Sequence, residues 1–367
     1  MNINSYMPVR VISGKDCLKR NEELLISRGK RCLILTGKSS AKLSGALDTV
    51  TYILDKNNID YSVFDEIEPN PLTATCKKAG DEAFRFGAEY IIGIGGGSVL
   101  DAAKAVAIFA VNQDFSHADV YSRIIPSAHL PVILIGTTSG TGSEVTGVSV
   151  LTNSDTGLKK SISGADCYAD IAFCDYSYTK STNTDVRISA ALDAFCHAVE
   201  AFLASSANDM VEMYVKEAIS ILAPYILSGE FCDICDEDFE KLYVASIYAG
   251  LAINIAGTDF PHTVGYHLTE AYGISHGKAC AVFMPELLDR AKKYCPEKLG
   301  TILEIVGSDI ETLSRVVRNL ADVNVCISRE EAIKISLRWK NGVKNFDRTP
   351  GGFSYEEAEK ALLSLNK

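Results

Sequence analysis

Histidine and tryptophan are scarce in this chain, with six of the first and one of the second among 367 residues. No apolar run approaches the about 18 residues a membrane span needs, so no membrane partner is expected. Positive charge is also in deficit. Lys and Arg number 36 against 47 Asp and Glu, a net charge of −11, and no basic run offsets it. That argues against nucleic acid or an anionic membrane surface as a partner. The eleven cysteines are odd in number and scattered. Cys232 and Cys235 form a CxxC, but no second CxxC or His pair completes a zinc site. Thiols so distributed fit a reduced, cytoplasmic protein, and the first residues show no charged-then-apolar secretory pattern.

Hydrophobic residues make up 47% of the chain, enough for two domains with substantial cores. The first half alternates short β-branched runs with amphipathic stretches. Strands are predicted at 31–36, 61–64, 90–94 and 131–135, with helices at 41–57, 72–88 and 98–111 between them. Such alternation implies a parallel sheet with helices on its faces. From about Val186 the signals turn helical, with long amphipathic segments at 209–227 and 239–256. Ser, Thr, Asn and Asp cluster near 180–187. The expected organisation is an α/β, Rossmann-like nucleotide-binding domain over 1–184 and an all-helical domain over 185–367.

Glycine concentrates in two loops. Tyr90-Ile-Ile-Gly-Ile-Gly-Gly-Gly-Ser-Val-Leu-Asp101 places Gly95, Gly96, Gly97 and Ser98 where a strand gives way to a helix. Glycines there let a ligand touch the backbone, and helix N-terminal amides favour phosphate oxygens. Ser98 and Asp101 also have capping-box spacing. Two common fingerprints fail. The last glycine of a Rossmann motif is missing, and Gly37-Lys38-Ser39 lacks the earlier P-loop glycine, which here is Cys32. The second loop, Gly136-Thr-Thr-Ser-Gly-Thr-Gly-Ser-Glu144, again follows a strand. Its small hydroxylated residues supply donors without bulk, as a pyrophosphate requires.

A metal pattern lies in the second half. Ser189 to Glu200 reads as a helix with Leu192, Phe195, Val199 and Phe202 as its apolar stripe. Asp193 and His197, four apart, point from one face and suit a divalent ion, although such a pair alone is more often a hydrogen-bonded couple. Three of the six histidines, His262, His267 and His276, fall within 262–276. His117 and His129 lie near loops and read as surface residues.

These motifs together resemble the iron-containing (group III) alcohol dehydrogenases, over nearly the whole chain from about Met7. The segments that carry the resemblance are Gly95–Lys104, Thr137–Glu144, Asp193–Glu200 and His262 to Gly277. The resemblance implies a dehydroquinate-synthase-like architecture with Asp193, His197, His262 and His276 as metal ligands. It implies that Gly96, Gly97, Ser98, Asp101, Thr137, Thr138 and Thr141 lie at the cofactor. Asn70 matches a cofactor-side asparagine, and a lysine near the nicotinamide ribose falls at Lys159 or Lys160. Two departures stand out. Ala191 replaces a glycine that often precedes the metal aspartate. The histidine common four residues after the third ligand is Tyr266 here, with His267 one residue later as a further candidate facing cofactor or substrate.

The chemistry so implied is hydride transfer between NAD(P)(H) and a small alcohol or aldehyde in a cleft between the halves. Fe(II), with Zn(II) or Mn(II) as substitutes, would bind the substrate oxygen and lower the alcohol's pKa toward neutrality. The rivals are a glycerol-dehydrogenase-like zinc polyol enzyme and a dehydroquinate-synthase-like lyase. Both resemble the chain in architecture, but an aspartate with three histidines favours the alcohol dehydrogenase. A homodimer is expected on the same ground. NADP(H) is the expected cofactor, because Gly37 stands where the family often has an aspartate for the adenosine ribose. Lys38, Ser39 and Ser40 follow it with a cation and hydroxyl donors for a phosphate monoester.

Overall fold

The apolar run at Arg31–Thr36 forms the strand from which a six-stranded parallel sheet spreads in both directions. In the computed structural model, which describes residues 3–121 and 123–366, eight strands are present. They are β1 (Arg10–Ser13), β2 (Arg31–Thr36), β3 (Asp60–Phe64), β4 (Tyr90–Gly95), β5 (Val132–Gly136), β6 (Val148–Thr152), β7 (Lys159–Ser163) and β8 (Ile171–Cys174). The sheet order is β1-β8-β5-β4-β2-β3, every pair parallel, and β6 and β7 form a separate antiparallel hairpin.

The pleat explains the core. Cys32 and Ile34, Ile92 and Ile94, Ile133 and Ile135, and Ile171 and Phe173 share one face, two residues apart along each strand. Leu47, Val50, Ile53 and Leu54 of the Ala46–Lys56 helix cover that face. The Gly97–Val111 helix covers the other: a Cβ added to Gly93 would lie 2.8 Å from the Cβ of Ala103.

The structure differs locally from the sequence expectation. The helix expected at 41–57 is two pieces, Ser40–Leu43 and Ala46–Lys56, broken at Gly45 with φ of 77°. β1, β8 and the β6–β7 hairpin add to the predicted strands.

The chain divides into two compact units. One comprises Met7–Asn183 with Cys235–Tyr243, and the other Thr184–Ile234 and Val244–Lys367 with Met1–Tyr6. Among the described residues the second unit contains helices and no strand. At its centre runs the Thr184–Leu203 helix, buried at every residue from Ala191 to Leu203. A helix enclosed on all sides should be apolar throughout. This one carries Asp193, His197 and Glu200 in its interior. No described helix is long and apolar enough to cross a membrane.

Candidate functional site

Those three buried polar residues occupy one face of the helix, at spacings of four and three. Around Asp193 gather His197 of the same helix, His262 near the start of the Phe260–Tyr272 helix, and His276 at the start of the His276–Ala281 helix. The Asp193 Oδ1 atom lies 3.7 Å from His197 Nε2, 3.4 Å from His262 Nε2 and 3.8 Å from His276 Nε2. Donors bound at about 2.0–2.3 Å to one tetrahedral ion sit roughly 3.3–3.8 Å from one another. Each of the three imidazoles that the resemblance implied therefore stands at ligand spacing from Asp193 Oδ1, and the donors of Asp193, His262 and His276 also lie within 4.8 Å of one another.

Two of these atoms are also stranded. Asp193 Oδ1 and His262 Nε2 are buried and make no hydrogen bond among the described residues. Each such atom costs about 1–3 kcal/mol if left so, and a divalent cation between them removes the penalty. Burial alone would raise the Asp193 carboxyl, but the imidazoles of His197, His276 and His262 outweigh it. They hold the group below the usual carboxylate range, ionised and ready to bind a cation.

Glu200, to which no role was assigned from sequence, fixes the orientation of His262. Its Oε1 accepts from His262 Nδ1 at 2.6 Å, and its Oε2 accepts from the Asp259 backbone N–H at 2.8 Å. With the proton on Nδ1, the Nε2 lone pair is left to face Asp193. The signal was present as a third polar residue on the Asp193/His197 face, but its partner lies 62 residues away in the chain.

Two glycines bring the helices together. A Cβ on Gly277 would lie 1.8 Å from Ser189 O and 2.8 Å from Asp193 N, and one on Gly265 would lie 2.8 Å from Ala279 O. The His276–Ala281 helix therefore seats its backbone directly on the Thr184–Leu203 helix.

Tyr266 stacks on His276, with ring centroids 5.4 Å apart and an interplanar angle of 17°. His267 does not join this group. Its Nε2 is 2.9 Å from Glu331 Oε1, and Tyr272 Oη donates to the same carboxylate at 2.9 Å. One helical step, about 100°, separates the two faces, so His267 turns to Glu331 while Tyr266 turns to His276. Burial, opposed by Glu331, lowers its pKa. His117 and His129 are partly exposed and stand apart from the cluster.

In the α/β unit, the loops after β2, β4 and β5 leave neighbouring strands at one level: Gly95 pairs with Gly136, and Thr36 with Ile94. The chain reverses direction across the sheet between β2 and β4, and open α/β sheets bind ligands at that crevice. The two glycine-rich loops pack on each other. A Cβ on Gly97 would lie 2.6 Å from Thr141 Cγ2, and one on Gly96 3.2 Å from Thr138. Gly96 precedes the Gly97–Val111 helix, whose first amides suit a phosphate.

Ser98 Oγ accepts from the Asn70 N–H at 3.2 Å, and Lys159 Nζ donates to Asn70 Oδ1 at 2.9 Å. Lys159, Asn70 and Ser98 are therefore brought together, whereas Lys160 Nζ lies over the Tyr121 ring, 5.5 Å from its centroid. Asp101 is held by partners within the protein. Its Oδ1 accepts from Ser143 Oγ at 2.5 Å and its Oδ2 from Val150 N at 2.9 Å, so its carboxylate ties loop to helix. Fully buried Lys104 completes that tie, donating to Ser143 Oγ at 2.9 Å and to Val148 O at 2.7 Å. Gly37, Ser39 and Ser40 lie in the loop after β2, where a Cβ on Gly37 would come 3.2 Å from Ile67 O.

Comparison with known proteins agrees with this geometry. Residues 8–176 match the model of the iron-containing alcohol dehydrogenase family, and residues 187–344 match the C-terminal model of the Fe-containing alcohol dehydrogenase family. The chain is 31% identical to long-chain-alcohol dehydrogenase 1 of Geobacillus thermodenitrificans, over 92% of this chain and 82% of that one. It is 25% identical to the NADPH-dependent butanol dehydrogenase of Clostridium saccharobutylicum, over 90% and 85%. Among solved structures, an iron-containing alcohol dehydrogenase from Thermotoga maritima superposes with a TM-score of 0.90 at 34% identity, covering 99% of each chain. Its buried aspartate–histidine cluster, its strand-end glycine loops and these matches make the chain a member of the iron-containing alcohol dehydrogenase family.

Proposed function

We propose that this NAD(P)-dependent alcohol dehydrogenase works on small alcohols and aldehydes with NADP(H) as its preferred cofactor. In this reading Asp193, His197, His262 and His276 hold Fe(II), which Zn(II) or Mn(II) can replace. The observation that carries the metal reading is the spacing of three imidazoles around Asp193 Oδ1, 3.4–3.8 Å to their Nε2 atoms. An ion held there supplies Lewis acidity toward the oxygen of an alcohol or aldehyde, and the dinucleotide carries the hydride.

The chain's own residues prepare that chemistry. Glu200 holds the proton on His262 Nδ1 and so presents Nε2 to the site. Burial of Asp193 and His262 keeps water from competing for the same positions. Gly96 and Gly97 leave room for a pyrophosphate at the helix N-terminus. Lys159, hydrogen-bonded to Asn70, is the cation of choice near the nicotinamide ribose. A zinc polyol dehydrogenase or a dehydroquinate-synthase-like lyase is less well supported than this assignment.

The dinucleotide preference rests on Gly37. No carboxylate stands at the end of β2 to hydrogen-bond a ribose 2′-hydroxyl or repel a 2′-phosphate, and Lys38, Ser39 and Ser40 follow. Gly37→Asp is expected to shift the NADPH-to-NADH ratio of kcat/KM toward NADH by roughly one to two orders of magnitude. The repulsion involved is about 1–3 kcal/mol and weakens with salt. An aldehyde panel assayed with each cofactor and added Fe(II) tests both points; wild-type turnover faster with NADH than with NADPH at equal concentration contradicts the preference.

We also read the protein as a cytoplasmic homodimer. All eleven cysteines are free thiols, as a reducing compartment requires, and β1 is an edge strand paired only with β8 among the described residues.

A further inference from the structure

The four ligand residues do not exhaust the donors around Asp193. Cys280 lies one turn after His276 on the same short helix and is fully buried. Its Sγ is 3.7 Å from His276 Nδ1 and 3.8 Å from His276 Nε2. Donor atoms of Asp193, His262, His276 and Cys280 all lie within 4.8 Å of one another. For a metal–sulfur bond of about 2.3 Å and a metal–nitrogen bond of about 2.0–2.1 Å, the tetrahedral S···N separation is roughly 3.6 Å. The sulfur is thus placed as a ligand would be. Within the same pocket Asp193 Oδ1 and His262 Nε2 are buried and without a hydrogen bond among the described residues, an independent sign that a cation belongs there.

We propose that Cys280 is a sulfur donor to the ion held by Asp193, His262 and His276. With His197, which lies 3.7 Å from Asp193 Oδ1, this makes the site of this chain a five-donor set of mixed oxygen, nitrogen and sulfur. The inference rests on the metal site proposed above and adds a ligand to it. On binding, the Cys280 S–H bond breaks, a sulfur–metal bond forms and the proton passes to water; no electron changes hands. A thiolate is a soft ligand, and soft donors select Zn(II) and Co(II) over Mn(II) more strongly than carboxylate and imidazole alone. The Zn(II)-over-Mn(II) preference of the wild type should accordingly exceed that of Cys280→Ser by about tenfold.

The test loads full-length wild type, Cys280→Ser and the exposed-thiol control Cys326→Ser with Co(II) and records their absorption spectra. Visible d–d bands report that the ion is bound; a near-ultraviolet sulfur-to-cobalt charge-transfer band reports the thiolate. The expected result is both features in wild type and control, with the sulfur band alone lost in Cys280→Ser. Visible bands without a sulfur band in the wild type overturn the role of Cys280 and leave the aspartate–histidine site standing. Failure of the wild type to bind Co(II) or Zn(II) at all overturns both. Should Cys280→Ser not fold, X-ray absorption at the zinc edge of the Zn(II)-loaded wild type decides the matter. A sulfur scatterer at about 2.3 Å supports the proposal, and a shell of nitrogen and oxygen alone at about 2.0–2.1 Å overturns it.

Discussion

Glu200 shows how a residue can matter by orienting another. It accepts the His262 Nδ1 proton with one oxygen and the Asp259 N–H with the other. In Glu200→Gln one of these two donors faces an amide NH2, so the imidazole loses its fixed orientation. Partners of this kind are worth about 10–100-fold in metal affinity. Zn(II) affinity measured by chelator competition should fall by that factor, and an unchanged affinity would show that His262 orients itself. Asp193 and His197 were legible as a pair because helical spacing puts them on one face. Glu200 shared that face, but only the fold brings His262 to it. The choices between Lys159 and Lys160, and between Tyr266 and His267, turn on single steps of backbone geometry. Neighbouring residues of a strand point to opposite faces, and neighbouring residues of a helix are rotated by about 100°.

Between helices, the decisive contact is made by a missing side chain. Gly277 follows His276 and lies against Ser189 O and the backbone N of Asp193. In Gly277→Ala the new methyl occupies space already filled, and the His276–Ala281 helix must lift off the Thr184–Leu203 helix. Overpacking of this kind costs about 1–3 kcal/mol or more and carries His276 away from Asp193. The variant should lose bound metal and melt earlier than wild type; full metal content at an unchanged midpoint would refute the contact. Strands β2, β4 and β5 were legible as runs of apolar residues, and β2, β3 and β4 also because an α-helix follows each. β1 was not, since only part of its surface is buried and its burial pattern lacks alternation. β8 is four buried residues, too short for a periodicity to declare itself. In the β6–β7 hairpin burial alternates along β6, but the buried positions are Ser149 and Leu151 while Val148 and Val150 are half-buried, so hydropathy does not follow it, and β7 buries only Ile162.

At the scale of the whole chain, the scarcity of histidine made the second half readable. Three of six histidines fall in one short stretch, and two of those three join the fourth-residue pair on the buried helix. The α/β half was readable through glycine, because both loops follow neighbouring strands whose ends lie in register. What the chain-level reading missed was the division of labour inside these motifs. Asp101 and Lys104 tie the helix that follows the first loop to Ser143 of the second and to β6, a task visible only once these elements are side by side. The central claim is that aldehyde reduction by this protein depends on an ion held by all four of Asp193, His197, His262 and His276. It is tested most directly by measuring bound metal and aldehyde-dependent NADPH oxidation together, in wild type and His276→Ala, before and after chelation and Fe(II) readdition. The account predicts that chelation silences the wild type, that Fe(II) restores it, and that His276→Ala neither retains metal nor turns over; full activity in metal-stripped His276→Ala would contradict it.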